Sequence, residues 1–151
     1  MNDVTIREAR KHEAGAIAAV FTRSRSLLSF LPKLHSAEED RNFIEQVVMV
    51  EKTVLVADEG GRLYGLIAFN SEWIDHLYVD PDHIGQGIGS ALLQAAKPTS
   101  PRFQLWTFQR NDGARRFYER HGFAIETMTD GRDNEEKEPD ILYVWPGTKA
   151  A

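Results

Sequence analysis

The stretch from Leu77 to Leu93, LYVDPDHIGQGIGSALL, constrains this chain more than any other. It reads as a strand, a turn closed by Pro81, glycines at 85, 87 and 89, and then apolar residues at helical spacing. Glycine lets a backbone take positive φ and approach a ligand with no Cβ in the way. The first turn of the helix that follows carries unpaired N–H groups and about half a positive charge. Together these predict a site for a phosphate or pyrophosphate, against the plainer reading of an ordinary Gly-rich turn.

Two common phosphate-binding patterns fit poorly. A P-loop needs Gly-Lys-Ser/Thr, whereas Gly89 is followed by Ser90 and Ala91. The dinucleotide pattern Gly-x-Gly-x-x-Gly, begun at Gly85, meets Ser90 at its third glycine. It also calls for an acidic residue about 20 positions on, ending a second strand.

A second signal lies at Asn111 to Phe123, NDGARRFYERHGF. Asn111 suits a helix N-cap, Ala114, Phe117, Tyr118 and His121 make one stripe, and Gly122 suits a left-handed stop. The pair of segments resembles the GCN5-related N-acetyltransferase (GNAT) family. Its acetyl-CoA motif is Arg/Gln-x-x-Gly-x-Gly, followed by Asn-x-x-Ala-x-x-Phe-Tyr-x-x-x-Gly-Phe. The resemblance covers about residues 62–145, and the two motifs together are far more specific than either alone. One departure stands out. The family's leading Arg or Gln is Ile84 here, which removes a side-chain phosphate contact and leaves the backbone cradle to act alone.

The resemblance implies an α/β (α+β) fold, with a mixed, mostly antiparallel central sheet of about seven strands flanked by about four helices. The length of 151 residues predicts a single domain over 1–151, able to bury about two-thirds of its unfolded surface. Composition is ordinary for a globular protein, with 42% hydrophobic and 27% charged residues. A formal net charge of −5 argues against a nucleic-acid partner. The absence of cysteine excludes disulfides, thiol nucleophiles and Cys-ligated zinc, and the five histidines at 12, 35, 76, 83 and 121 show no metal-binding spacing. Met1 to Glu8 lacks the apolar run of a signal peptide, and no stretch reaches the ~18 apolar residues of a membrane span, so a cytoplasmic protein is expected.

In chain order, Val4 to Ala9 predicts an edge strand, and Ile17, Val20, Phe21 and Leu28 predict a helix stopped by Pro32. Ser36 with Glu39 is a capping box, opening a helix with Phe43, Ile44, Val47 and Val48 on its inner side. The apolar connection between them, Ser26 to His35 with Phe30 at its centre, either packs under the helices or, as the resemblance implies, walls the acceptor site. Thr53 to Asp58 and Leu63 to Asn70 read as a hairpin, with Leu66 to Phe69 covered on both faces. Strands follow at Trp73 to Val79 and Phe103 to Phe108, and a last hairpin joins Phe123 to Thr129 with Ile141 to Trp145. This element order agrees with the family's.

Acetyl transfer from a thioester to an amine needs the thioester held, the amine deprotonated and the thiolate stabilised. An alkyl amine of pKa ~10.4 is neutral in about one molecule in 2,500 at pH 7, so supplying it costs roughly 4–5 kcal/mol. Asp75 is the expected base: strand alternation puts it on one face with Trp73, Leu77 and Val79, and family bases sit on this strand. It equally suits a structural acceptor. His76, on the opposite face, is the runner-up base or a satisfied sheet-face histidine. Tyr118 maps by the resemblance onto the tyrosine facing the coenzyme sulfur, or else is a core tyrosine with its hydroxyl at the edge. The implied coenzyme site comprises Gly85, Gln86, Gly87, Gly89 and Ser90, the Leu77 to Val79 strand edge, and Asn111, Ala114 and Tyr118. Arg115 and Arg116 either reach the coenzyme phosphates or are simply solvated.

The implied activity is acetyl-CoA-dependent transfer to the amine of a small molecule or peptide. The alternative is a non-catalytic acyl-CoA-binding module of the same fold. Many members of the family pair as homodimers. Phe30, Trp73, Glu135 and Glu136 are the expected acceptor contacts. Asp130 to Asp140 holds six carboxylates against two cations and in the resembling fold lies beside the acceptor mouth, so it either draws in a cationic amine or is a solvated, mobile turn.

Overall fold

The computed structural model describes residues 3–147; Met1 and Asn2 of the N-terminal stretch, and residues 148–151, lie outside the described residues. β1 (Thr5–Glu8) leads through a 3-10 turn to α1 (Ala14–Ser26), which buries Ile17, Val20 and Phe21. Leu28 falls beyond the end of this helix. α2 (Ala37–Phe43) opens on the expected capping box: the Glu39 N–H donates to Ser36 Oγ at 3.1 Å, and the Ser36 N–H donates to Glu39 Oε1 at 2.9 Å.

The inner face of this second helix departs from expectation. Residues Ile44–Val48 form a π-helical turn before a short helical turn at Met49–Glu51. The wider turn keeps Ile44 and Val48 stacked and buried, while Val47 rotates off the stripe. Phe43, at 39% exposure, turns its ring toward Phe21 and His76 instead.

β2 (Thr53–Glu59), β3 (Arg62–Phe69) and β4 (Ile74–Val79) complete an antiparallel sheet in the order β1-β2-β3-β4. Leu66 and Ala68 of β3 pack under α1 and the π turn, while Ile67 and Phe69 pack under the helix that follows β4. That two-sided cover explains the unbroken apolar run of β3. α3 (Ile88–Ala96), β5 (Phe103–Phe108), α4 (Asp112–Arg120), β6 (Ala124–Thr129) and β7 (Asp140–Trp145) follow.

The seven strands among the described residues form two sheets. The second has the order β5-β7-β6, with β7 inserted antiparallel between its predecessors. The sheets touch through one isolated parallel bridge among the described residues, Trp73 with Gln104, beside the Gln104 N–H donating to the Glu72 carbonyl at 2.9 Å. β4 and β5 therefore start together and then part, leaving an open cleft between them.

β4 also carries a bulge. Ala68 pairs with His76 but Phe69 pairs with Ile74, so Asp75 is an extra residue and simple alternation fails there. Asp75 consequently does not hold the place on the Leu77–Val79 face that strict period-2 reading assigned to it.

Candidate active site

The strand–glycine turn–helix unit is anchored before it is used. Asp80, almost fully buried, accepts from Arg23 Nη1 at 2.6 Å and from the Asp82 N–H at 2.9 Å. Ser24 Oγ donates to the Val79 carbonyl at 2.9 Å, which ties α1 to the end of β4. Gly85 and Gly87 take φ of 84° and 80°, left-handed values that favour glycine, and Gly87 is the N-cap of α3. A Cβ built on either meets nothing within 4 Å, so the turn faces open space. Gly89 is already helical, and its role is contact: an added Cβ would lie 3.3 Å from Phe117 Cε1.

A cavity of about 550 Å³ runs over this turn, lined by Leu77, Val79, Gly85, Gly87, Gly89 and Ser90 from one side. Asn111, Ala114, Phe117, Tyr118 and Arg120 close the other. Asn111 caps α4 by accepting the Ala114 N–H at 3.2 Å, as its position suggested. Gln86 turns aside to His83 Nδ1, 3.3 Å away, and is not among the lining residues. Ile84 is 60% exposed at the cavity edge. Arg115 points away, toward the Tyr143 hydroxyl and the Gln109 carbonyl. Open left-handed glycines, the N-terminal N–H groups of α3 and a cavity of this size beside the β4 edge fit a pyrophosphate with an amide arm.

The second space is the β4–β5 cleft, walled by Asp75 to Tyr78 and by Leu105 to Phe108. Tyr118 and Asn111 line both the cleft and the cavity over the glycine turn, so the two spaces meet at Tyr118. Burial pushes the Tyr118 phenol above its usual pKa, so it stays protonated, and among the described residues nothing hydrogen-bonds to its hydroxyl. It is placed as a free donor.

Asp75 lines the cleft with its Oδ2 3.1 Å from Lys52 Nζ. His76 sits on the sheet face as expected but is not satisfied there. Its ring lies against Phe21, Phe43 and Tyr78, and its buried Nδ1 has no hydrogen-bond partner. Burial drives its pKa down to about 4, so the imidazole is neutral at pH 7.

A third cavity, of about 670 Å³, opens on the other side of His76, between α1, α2 and the β6–β7 loop. Phe21 and Phe43 form apolar wall, and Glu39, Asp40, Glu135 and Glu136 contribute carboxylates. The loop is not a loose turn: Glu138, nearly buried, makes a two-pronged pair with Arg110 at 2.7 Å, and Asn134 bonds across it to the Glu138 carbonyl. Of the other expected acceptor contacts, Phe30 packs on Phe108 with Arg110 over its ring. Trp73 lies at the closed end of the cleft, in the sheet junction, and lines none of these three spaces.

Sequence reasoning passed over Arg25, Tyr78 and Arg120, all of which face these spaces. Tyr78 offered a signal, since strand alternation puts its side chain with His76. The two arginines offered none beyond their positions on helices.

The family model described as an acetyltransferase (GNAT) domain matches residues 50–125. The chain is 26% identical over 144 residues to the peptidyl-lysine N-acetyltransferase YjaB of Salmonella typhimurium, covering 95% of this chain and 99% of that protein. It is 25% identical to the peptidyl-lysine N-acetyltransferase YiaC of Escherichia coli, covering 93% and 96%. Among solved structures, apo YjaB from Escherichia coli superposes with a TM-score of 0.79 at 23% identity, over 97% of this chain and all of that one. The PaiA N-acetyltransferase of Thermoplasma acidophilum, solved with coenzyme A, gives 0.71 at 18% identity, over 95% and 98%.

Proposed function

This chain belongs to the GNAT acetyltransferase family and transfers an acetyl group from acetyl-CoA to an amine; from that premise we propose that its acceptor is a lysine-like side chain of a peptide. The acceptor enters by the cavity beside α2 and meets the acetyl group in the β4–β5 cleft. The observation that carries this reading is the placement of Tyr118, which lines both the cavity over the glycine turn and the cleft.

Acetyl-CoA supplies an activated acyl group as a thioester. The chain's own contribution begins at Gly85, Gly87 and the first turn of α3, whose N–H groups receive the pyrophosphate. The free edge of β4 at Leu77 to Val79 offers backbone partners to the amide arm, and Asn111 and Ala114 bound its far side. Apolar contacts from Phe21 and Phe43 suit the stem of a lysine side chain, and the carboxylates at the mouth suit its charge.

Asp75 is the proposed proton acceptor for the incoming ammonium, directly or through water, in competition with the Lys52 ammonium it already faces. His76, held neutral, offers a lone pair that orients the amine. Tyr118 donates to the departing sulfur. A thiol of pKa ~8.5 needs only modest help to leave, and a protonated phenol is sufficient. No helix among the described residues is long and apolar enough to cross a membrane. We take residues 1–151 as one acetyltransferase domain acting in the cytoplasm, and the net charge of −5 supports an acceptor other than nucleic acid.

The test is thiol release from acetyl-CoA with lysine peptides, blocked-lysine peptides, polyamines and free peptide amino termini. Selective turnover of the peptides with a free lysine supports the reading. Turnover confined to amino termini or polyamines replaces the acceptor. Binding of acetyl-CoA with no turnover of any amine would favour the binding-module alternative.

A further inference from the structure

Coenzyme A carries a pyrophosphate and a ribose phosphate, yet the usual side-chain contact from the turn is missing because Ile84 stands there. Backbone N–H groups and one helix N-terminus are left to hold a highly charged ligand. The opposite wall of the cavity shows where a replacement cation sits. Arg120 is its one Lys or Arg among the described lining residues, at the last residue of α4.

Two contacts tie the end of α4 to the turn, and a third places the Arg120 guanidinium on that end. The Phe117 ring packs on Gly89, in the first turn of α3, with its Cε1 3.3 Å from where a Cβ would stand. The Arg120 guanidinium carbon lies 6.0 Å from the centroid of that same ring. One residue on, His121 Nε2 lies 3.0 Å from Ser90 Oγ, also in the first turn of α3. The end of α4 is thus clamped to the start of α3, with an exposed guanidinium at the join.

We propose that Arg120 is the side-chain phosphate ligand of this enzyme, taking from across the cavity the role that Ile84 cannot fill. A guanidinium forms strong, charge-assisted bonds to phosphate oxygens, and here it lies over the face of the Phe117 ring. A competing role exists. A cation in the last turn of a helix also favours the helix dipole, and that alone would leave coenzyme affinity untouched.

The test measures dissociation constants by calorimetry for acetyl-CoA, for its 3′-dephospho form and for acetyl-pantetheine, with wild type and Arg120→Ala. Loss of one charge-assisted contact predicts a roughly 10- to 100-fold weaker acetyl-CoA affinity, with no change for acetyl-pantetheine. A loss for acetyl-CoA alone places Arg120 on the ribose phosphate, and an equal loss for the dephospho form places it on the pyrophosphate. Unchanged acetyl-CoA affinity overturns the proposal, and so does an equal loss for acetyl-pantetheine. Melting temperature separates misfolding from loss of contact, and Arg120→Lys should recover part of the affinity. Because the readout is coenzyme binding, its failure would leave the acceptor reading standing.

Discussion

Arg25 Nη2 lies 3.1 Å from Glu136 Oε2, joining α1 to the β6–β7 loop across 111 positions of sequence. The same guanidinium donates to the Tyr78 hydroxyl at 3.2 Å and stands 5.7 Å over the Phe21 ring. A carboxylate, a phenol and an aromatic face converge on one internal cation at the edge of the acceptor cavity. Beside it, His35 Nε2 lies 2.8 Å from Glu135 Oε1, and that carboxylate raises the His35 pKa. The acidic loop is therefore tied down by the side of the protein it faces.

Tyr118→Phe should reduce kcat by about 10- to 100-fold with little change in the KM for acetyl-CoA, since the hydroxyl acts only where charge develops on sulfur. Its melting temperature should match wild type, because the hydroxyl bonds to no described residue. Steady-state kinetics and a thermal scan check both. An unchanged kcat would return Tyr118 to a packing role.

Gly87→Val should abolish measurable acetyl-CoA binding in calorimetry. The left-handed φ of 80° is costly for a β-branched residue, and the side chain would project into the open space over the turn. Retained affinity would mean that the turn does not cradle the coenzyme.

How much of this could be read from the chain differs by element. The α3 and α4 starts were legible because Gly87 and Asn111 act locally, through φ and a cap that depend on a few neighbouring residues. The Ser36–Glu39 box was legible for the same reason. The bulge at Asp75 was not, because it is defined by register against Ala68 and Phe69 on another strand. Nor was the split sheet, since only three-dimensional pairing reveals that β7 sits between β5 and β6 and that Trp73–Gln104 is the one isolated bridge between the sheets among the described residues. Arg25 looks like a solvated helix charge until Tyr78 and Glu136 are placed beside it, and Arg120 until the wall opposite the glycine turn is placed.

His76 should give the protein an acid-sensitive stability. Its pKa falls from 6.5 in the unfolded chain to about 4 in the folded one through burial. Between those values the unfolded state binds a proton that the folded state refuses. Stability is therefore fully present above pH 6.5 and falls as pH drops toward 4, by up to about 3 kcal/mol. Denaturant midpoints across this range should slope for wild type and flatten for His76→Phe. Equal slopes would assign the acid loss to other groups.

The Arg25–Glu136 pair makes the acceptor's charge preference testable by a double-mutant cycle. Glu136→Gln does more than delete a negative charge, for it leaves the Arg25 guanidinium half-buried with its carboxylate partner gone. The cavity then becomes more positive, and KM for a lysine peptide should rise by about tenfold or more, the scale of one partly buried charge contact. Arg25→Gln should act in the opposite sense, freeing Glu136 for the substrate ammonium and lowering KM. Changing both should return KM toward the wild-type value, because two charges of opposite sign leave together. Glu135→Gln, at a side chain 61% exposed, should have a smaller effect that vanishes at 1 M salt, where the Debye length is about 3 Å. Kinetics on all four variants at low and high salt decide the matter. If Glu136→Gln and Arg25→Gln shift KM in the same direction, the pair only braces the loop and does not set the charge that the acceptor meets.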